Sequence, residues 1–188
     1  MSTLEVCARV LLGACWIAWM YPFVALAPHN QKRASVTRRG ATFVGLLFES
    51  MGIFVAFLGG ILPHDPIEWW RAALVAVFSA PSIALSFSAV KHLGKQFRVN
   101  AGLYEDHELV TTGAYSIVRH PIYAGLFGML LASIAVSTPL AWAVVSITIF
   151  LIGTEIRVRT EDGLLHSRFG AAFDDYQRRV KAYIPYIR

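Results

Sequence analysis

Two clusters of residues in the second half of the chain have the types and spacing to handle a charged small molecule. The first reads H-E-L-V-T-T-G-A-Y-S-I-V-R-H-P-I-Y-A-G from His107 to Gly125, directly ahead of an apolar run. Within it Gly113 permits a turn, Pro121 suits the first turn of a helix, and Arg119 and His120 fall at the boundary between polar and apolar sequence. The second cluster is Arg157, Glu161 and Asp162, followed by Phe169-Gly170, Tyr176 and Ile184-Pro185. Four residues apart, Arg157 and Glu161 share one face of a helix. A carboxylate suits an ammonium group, a guanidinium grips an anion through two parallel bonds, and aromatic faces hold a cation. The same residues also fit a plainer arrangement. That alternative is a basic stop at a helix entrance with aromatic interface anchors, plus an exposed i,i+4 ion pair worth roughly 0.2–0.5 kcal/mol.

The elements that must position these clusters are membrane helices. Of the 188 residues, 56% are hydrophobic, above the roughly 45–50% of a soluble domain. Allowing about 20 residues per span, spans are expected near 10–27, 40–62 and 69–90. Shorter apolar runs follow at 122–136 and 139–153. At 1.5 Å per residue each short run covers roughly 22 Å of a ~30 Å hydrocarbon core. Each therefore either extends into its flanks or forms half of a re-entrant hairpin. Ala25-Leu26-Ala27 resembles a signal-peptide cleavage site, but Pro28 follows the cut, so the segment is read as an uncleaved helix. The expected fold is all-α: one polytopic membrane domain over 1–188 with about five transmembrane helices, its polar chemistry confined to segments 91–121 and 154–188.

Charge assigns the sides. The formal net charge is +5, and 15 of the 17 Lys and Arg fall in the loop after the first span, in segment 91–121 and in the tail. The positive-inside rule places these in the cytoplasm, with the amino terminus outside and the carboxyl terminus inside. Basic residues in short segments between apolar runs point to lipid headgroups rather than nucleic acid. Cys7 and Cys15 both lie in the first apolar segment and have no metal-site or disulfide spacing, so they are read as packing residues and no metal is expected. Glu49, near the middle of the second span, is costly there; it either lines a cavity or bonds a neighbouring helix. Ser79, Ser82, Ser86 and Ser88 with Pro81 suggest close helix packing and a kink in the third span.

Taken together, H-x-L-V-T-x-G-x-Y-x-x-x-R-H-P-x-Y-x-G followed by R-x-x-x-E-[ED]-x-x-L-x-x-x-F-G-x-x-[FY]-x-x-Y-x-x-x-V-x-x-x-I-P resembles the isoprenylcysteine carboxyl methyltransferase family and its bacterial relatives. The resemblance runs over residues 93–185, half the chain. Asp162 stands where a second Glu is usual, Phe173 where Tyr is usual, and Ile122 where eukaryotic members often have Ser.

The resemblance implies an S-adenosylmethionine-dependent methyltransferase in a bacterial inner membrane, with its active site and helical cofactor-binding region on the cytoplasmic side. By it, His107, Glu108, Leu109 and Val110 contact the cofactor, and Tyr115, His120, Pro121, Ile122 and Tyr123 continue the pocket. Glu161 meets the cofactor's amino group, Asn100 lies at the rim, and Arg157 faces the acceptor as the catalytic residue, with Glu49 as a second substrate-side group. The implied acceptor is lipophilic or lipid-modified, with a carboxylate preferred. Such an acceptor is already ionised at neutral pH and needs no base. A phospholipid amine or a small hydrophobic thiol would need one, and His120 is the nearest to neutral titration. A non-enzymatic membrane module that keeps the fold is the reading from a different class.

Overall fold

A computed structural model describes residues 2–26, 36–60, 67–97, 102–103 and 107–185. Its helices are α1 (Thr3–Ala25), α2 (Arg39–Gly59), α3 (Trp69–Leu93), α4 (Pro121–Ser137), α5 (Leu140–Phe169) and α6 (Ala171–Arg179). Two-residue strands β1 (Val36–Thr37) and β2 (Gly102–Leu103) pair antiparallel. That pairing ties the start of α2 to the segment after α3, so the two polar connections meet at one end of the bundle. Four helices, α1, α2, α3 and α5, are long and apolar enough to cross a membrane, and α4 is a shorter apolar helix. The protein is an integral membrane protein.

Two boundaries differ from the hydropathy reading. Helix α1 begins at Thr3 instead of near residue 10. Ser2 caps it by accepting from the Glu5 amide at 3.2 Å, and Glu5 pairs with Arg9 one turn on at 2.9 Å, so charges that depress hydropathy are accommodated inside the helix. Helix α5 does not stop at Gly153 but runs for 30 residues, about 45 Å at 1.5 Å per residue. It lies antiparallel along the whole of α2, from Gly59 beside Trp142 to Gly45 beside Gly153. That path rules out the re-entrant hairpin for α5. Helix α4 reaches the same far end, where the Thr138 hydroxyl that follows it donates to the Ala56 carbonyl at 3.0 Å.

The α2–α5 seam is built from small residues. Helix α2 buries Thr42, Gly45, Glu49, Gly52, Ala56 and Gly59, a stripe with alternating steps of three and four. Opposite it α5 buries Ala143, Ser146, Phe150, Gly153, Thr154 and Arg157. Without Cβ atoms the backbones come close enough for the Ser146 hydroxyl to donate to the Gly52 carbonyl at 2.8 Å. A parallel device joins α3 to α4: Ser79, Ser82 and Ser86 are buried in α3, and Ser82 lies against Gly125 and Gly128. Helix α3 continues through Pro81.

A Cβ on Gly153 would stand 2.5 Å from the Gly45 carbonyl oxygen and 2.7 Å from the Glu49 amide, both backbone atoms that cannot turn aside. Gly153→Leu is therefore expected to destabilise the fold by about 3 kcal/mol, the upper end of ordinary overpacking costs. Gly13→Leu, where a Cβ meets nothing within 4 Å, should leave the thermal unfolding curve in detergent unchanged. Equal midpoints for the two variants would refute the close-seam account.

Candidate active site

The segment after α3 is held in place before it contributes any chemistry. The Ser88 hydroxyl accepts from the Ala114 amide at 3.0 Å, and the Gln96 side-chain oxygen accepts from the Glu108 amide at 3.1 Å. Gly113 turns the chain at φ +61°, beside the His92 ring. A side chain there would be strained and would collide with the imidazole. From the other side the carboxyl-terminal segment clamps the same stretch. Gly170, at φ +50°, reverses the chain between α5 and α6. The Tyr176 hydroxyl of α6 then donates to the Tyr115 carbonyl at 2.6 Å. Beyond α6, the Arg119 and His120 amides donate to the Lys181 and Ala182 carbonyls, each at 2.7 Å.

This clamp aligns a chain of alternating charges between α4 and α5. Arg119 donates to Asp162 at 2.9 Å and to the Val180 carbonyl at 2.5 Å. His120 lies between two acids, Nε2 at 2.8 Å from Asp162 and Nδ1 at 3.3 Å from Glu161. The Tyr123 hydroxyl donates to Glu161, and its ring stacks on His120 with 5.6 Å between centroids. The Arg157 guanidinium sits 4.6 Å above the same ring. Arg157 also donates to Glu49 at 2.6 Å, while the Thr154 hydroxyl donates to the other Glu49 oxygen at 3.1 Å.

Two sequence readings change here. The i,i+4 pair between Arg157 and Glu161 gives way to two separate partnerships, Arg157 with Glu49 and Glu161 with His120 and Tyr123. Glu49 satisfies both of its alternatives at once, bonding a neighbouring helix and lining a cavity.

Burial opposes a charge on His120, but its hydrogen bonds to Asp162 and Glu161, together with their charges, outweigh it. Its pKa is held above the ordinary value near 6.5. Burial, reinforced by the Glu161 charge, pushes the Tyr115 phenol well above its usual range, so it stays neutral. Tyr176 is likewise pushed up by burial and remains a donor.

These groups open onto a cavity of about 510 Å3. His107, Glu108, Leu109, Val110, Tyr115, His120, Pro121, Ile122, Tyr123, Glu161, Arg157 and Glu49 all line it. Asn100 lies outside the described residues. The Glu161 side chain is 27% exposed, whereas Glu49 is 1% exposed. The first presents a carboxylate to the cavity, and the second is bonded to Arg157. The cavity continues as an apolar wall of Trp16, Trp19 and Phe23 from α1 and Leu46 and Ile53 from α2. That wall was not anticipated, although Trp16, Trp19 and Phe23 follow the i, i+3, i+7 spacing of one helix face. Tyr176, part of the second sequence cluster, lines the cavity too, as does Gln96, which no motif marks.

The sequence model of the isoprenylcysteine carboxyl methyltransferase (ICMT) family matches residues 73–167. Among curated proteins, the chain is 38% identical over 133 residues to the nickel-cobalt-cadmium resistance protein NccN of Alcaligenes xylosoxydans xylosoxydans, covering 71% of this chain and 59% of the relative. It is 25% identical over 136 residues to protein-S-isoprenylcysteine O-methyltransferase B of Arabidopsis thaliana, covering 71% and 66%. It is 32% identical over 106 residues to the Schizosaccharomyces pombe protein-S-isoprenylcysteine O-methyltransferase, covering 55% and 44%. The chain thus spans between 44% and 66% of the length of these relatives. The matched segment carries both motifs' central residues, from the turn at Gly113 through His120 and Tyr123 to Arg157, Glu161 and Asp162, and on that match the chain belongs to the isoprenylcysteine carboxyl methyltransferase family.

Proposed function

We propose that this protein is an S-adenosylmethionine-dependent methyltransferase that acts from one face of the membrane on a lipophilic acceptor, with a carboxylate as the preferred nucleophile. The observation that carries this reading is a single cavity with an acidic, aromatic polar end and an apolar end walled by membrane helices. Its volume of about 510 Å3 suits a ligand of nucleoside size, since small-molecule pockets run roughly 300–1,000 Å3. Glu161 offers a carboxylate to an ammonium group, and Tyr115 offers a ring face to a sulfonium.

When bound, the cofactor supplies an electrophilic methyl group on a positively charged sulfur. The chain's own part is to bind, align and exclude water. Glu161, fixed by His120 and Tyr123, holds one end of the donor. Arg157, fixed by Glu49 and stacked over Tyr123, orients the acceptor. The α1 and α2 wall keeps the reacting atoms dry, which favours annihilation of opposite charges. Positioning supplies the rest of the acceleration.

A second reading is a neutral acceptor, a phospholipid amine or a small hydrophobic thiol. It draws on the Glu49–Arg157 pair, in which the guanidinium charge is already balanced by a buried carboxylate. Among the described residues no group of three His, Cys, Asp or Glu is placed to hold a metal ion.

Calorimetry with S-adenosylhomocysteine on the purified protein is expected to show one site, and a blank titration would favour a non-enzymatic membrane module. Glu161→Gln should weaken that binding by roughly 10- to 150-fold, the loss of a charge-assisted hydrogen bond worth about 1.5–3 kcal/mol. Undiminished affinity would remove Glu161 from the donor site.

Arg157→Ala should bind the donor normally and turn over a labelled carboxylate acceptor at least 100-fold more slowly, by roughly 3 kcal/mol of lost charge-assisted bonding. Arg157→Lys should recover only part of this, because an ammonium lacks the planar fork. Full recovery by Lys would show that charge alone, without a bidentate clamp, serves the acceptor.

The His120 arrangement also fixes a pH dependence. Its folded pKa lies above the unfolded one, so its stabilisation is complete below pH ~6.5 and is lost as pH rises through the raised value. Unfolding midpoints in detergent should therefore fall as pH is raised from ~6.5 into the mildly alkaline range, and His120→Gln should flatten that slope. A wild-type midpoint that rises over the same interval would show that the ring is neutral between its two acids.

A further inference from the structure

The end of the bundle away from the cavity is poor in positive charge. Among the described residues, the Lys and Arg at that end are Arg9 and Arg71. Arg9 is matched by Glu5 at 2.9 Å. Arg71 has a different environment. Its Nε donates to the Ala135 carbonyl at 2.9 Å and its Nη2 to the Thr138 carbonyl at 3.5 Å, and no carboxylate of the described residues reaches it. Glu68, three residues earlier, instead accepts from the Trp70 indole N–H. The two carbonyls close the carboxyl-terminal end of α4, whose partial negative charge is about half a unit. They leave donors on the guanidinium and much of its charge unanswered.

Beside Arg71 a groove of about 850 Å3 opens between α3, α4 and the start of α5. Leu74, Phe78, Leu131 and Leu140 give it apolar walls. Leu74 and Phe78 follow Arg71 at i+3 and i+7, so one face of α3 leads from the cation about 10 Å into the bundle's length. Trp69 and Trp70 are both exposed next to Arg71, at the position where tryptophans mark the headgroup layer. A cation at headgroup depth with an apolar track running inward matches the two-part chemistry of one ligand class.

We propose that this groove binds an anionic phospholipid, its phosphate on Arg71 and an acyl chain along Leu74 and Phe78. The site lies at the opposite end of the bundle from the methyl-transfer cavity and does not depend on that assignment. Charge selects the headgroup: a phosphate without a compensating choline gains the guanidinium bonds and keeps its net attraction.

The test is native mass spectrometry of the full-length protein released from membranes containing equimolar phosphatidylglycerol and phosphatidylcholine. Wild type is expected to retain phosphatidylglycerol in roughly tenfold preference, the scale of one charge-assisted contact. Arg71→Gln keeps a donor for the α4 carbonyls but loses the charge, and should cut the preference severalfold. Lys91→Gln, at the other end of α3, should leave it intact and so separates the site from general electrostatic attraction. Leu74→Trp fills the groove without touching Arg71 and should cut phosphatidylglycerol retention, which keeps the proposal testable if Arg71→Gln does not fold. Equal retention of the two lipids by wild type would overturn the site. So would a preference undiminished in Arg71→Gln, or glycerol phosphate retained as well as the intact lipid.

Discussion

The close approach of α2 and α5 sets the position of everything polar in this protein. Inside a bilayer, apolar side chains gain little by leaving lipid for one another, so helices associate through backbone proximity and the contacts it permits. Gly45, Gly52 and Gly59 place hydrogen atoms where side chains would hold the helices apart, and Gly153 does the same from α5. The space is put to two uses: the Arg157 stem lies against Gly45, and the Ser146 hydroxyl reaches the Gly52 carbonyl. Because α5 is one uninterrupted helix of 30 residues, its register at this seam determines where Arg157, Glu161 and Asp162 stand beyond the seam.

Above the seam the charged groups form one connected series, Glu49, Arg157, Glu161, His120, Asp162 and Arg119, with Tyr123 joining its halves. Each of these charges has an opposite neighbour, and three also have a neutral hydrogen-bond partner: Thr154 for Glu49, Tyr123 for Glu161, the Val180 carbonyl for Arg119. Such pairs return little net stability, because desolvation consumes most of the Coulombic gain. Their effect is geometric. With both His120 nitrogens held by carboxylates, the ring cannot rotate away, and Glu161 keeps its orientation toward the cavity. The carboxyl-terminal segment belongs to the same construction, since the Lys181 and Ala182 carbonyls hold the backbone of Arg119 and His120.

The parts of this site that were legible in the sequence are those whose geometry is local. Gly113, Pro121 and the four-residue step from Arg157 to Glu161 each encode a turn, a helix start or a shared face, and the residues attached to them line one cavity. The pairing of Glu49 with Arg157, 108 positions apart, was not legible, because spacing within a helix says nothing about which helix lies beside it. The α2 glycines at intervals of seven hinted at such a neighbour without naming it. Helix ends misled for a related reason. Hydropathy ends a span at the first charges, whereas a helix continues while its backbone bonds continue. Glu5 with Arg9 and Glu155 with Arg159 are i,i+4 pairs that let α1 start early and α5 run late.

The cavity has two walls of different origin. The polar wall, from Tyr115 through His120 and Tyr123 to Glu161, lies within the segment matched to the family, residues 73–167. The opposite wall, from Trp16 to Phe23 in α1 and from Leu46 to Ile53 in α2, lies outside it. Under the proposed activity the acceptor rests against that second wall, so its chemistry is selected by residues the family match does not reach. The wall is aromatic and aliphatic except for Ser50 and Glu49, and Glu49 is committed to Arg157. Its shape and polarity therefore favour an acceptor that is apolar over most of its length. Beside Glu49 such an acceptor meets the Arg157 guanidinium, whose attraction Glu49 has already reduced. Under that activity an anionic nucleophile competes with Glu49 for Arg157 and a neutral one does not, so the proposed choice between acceptors turns on a residue of α2 that lies outside the matched segment.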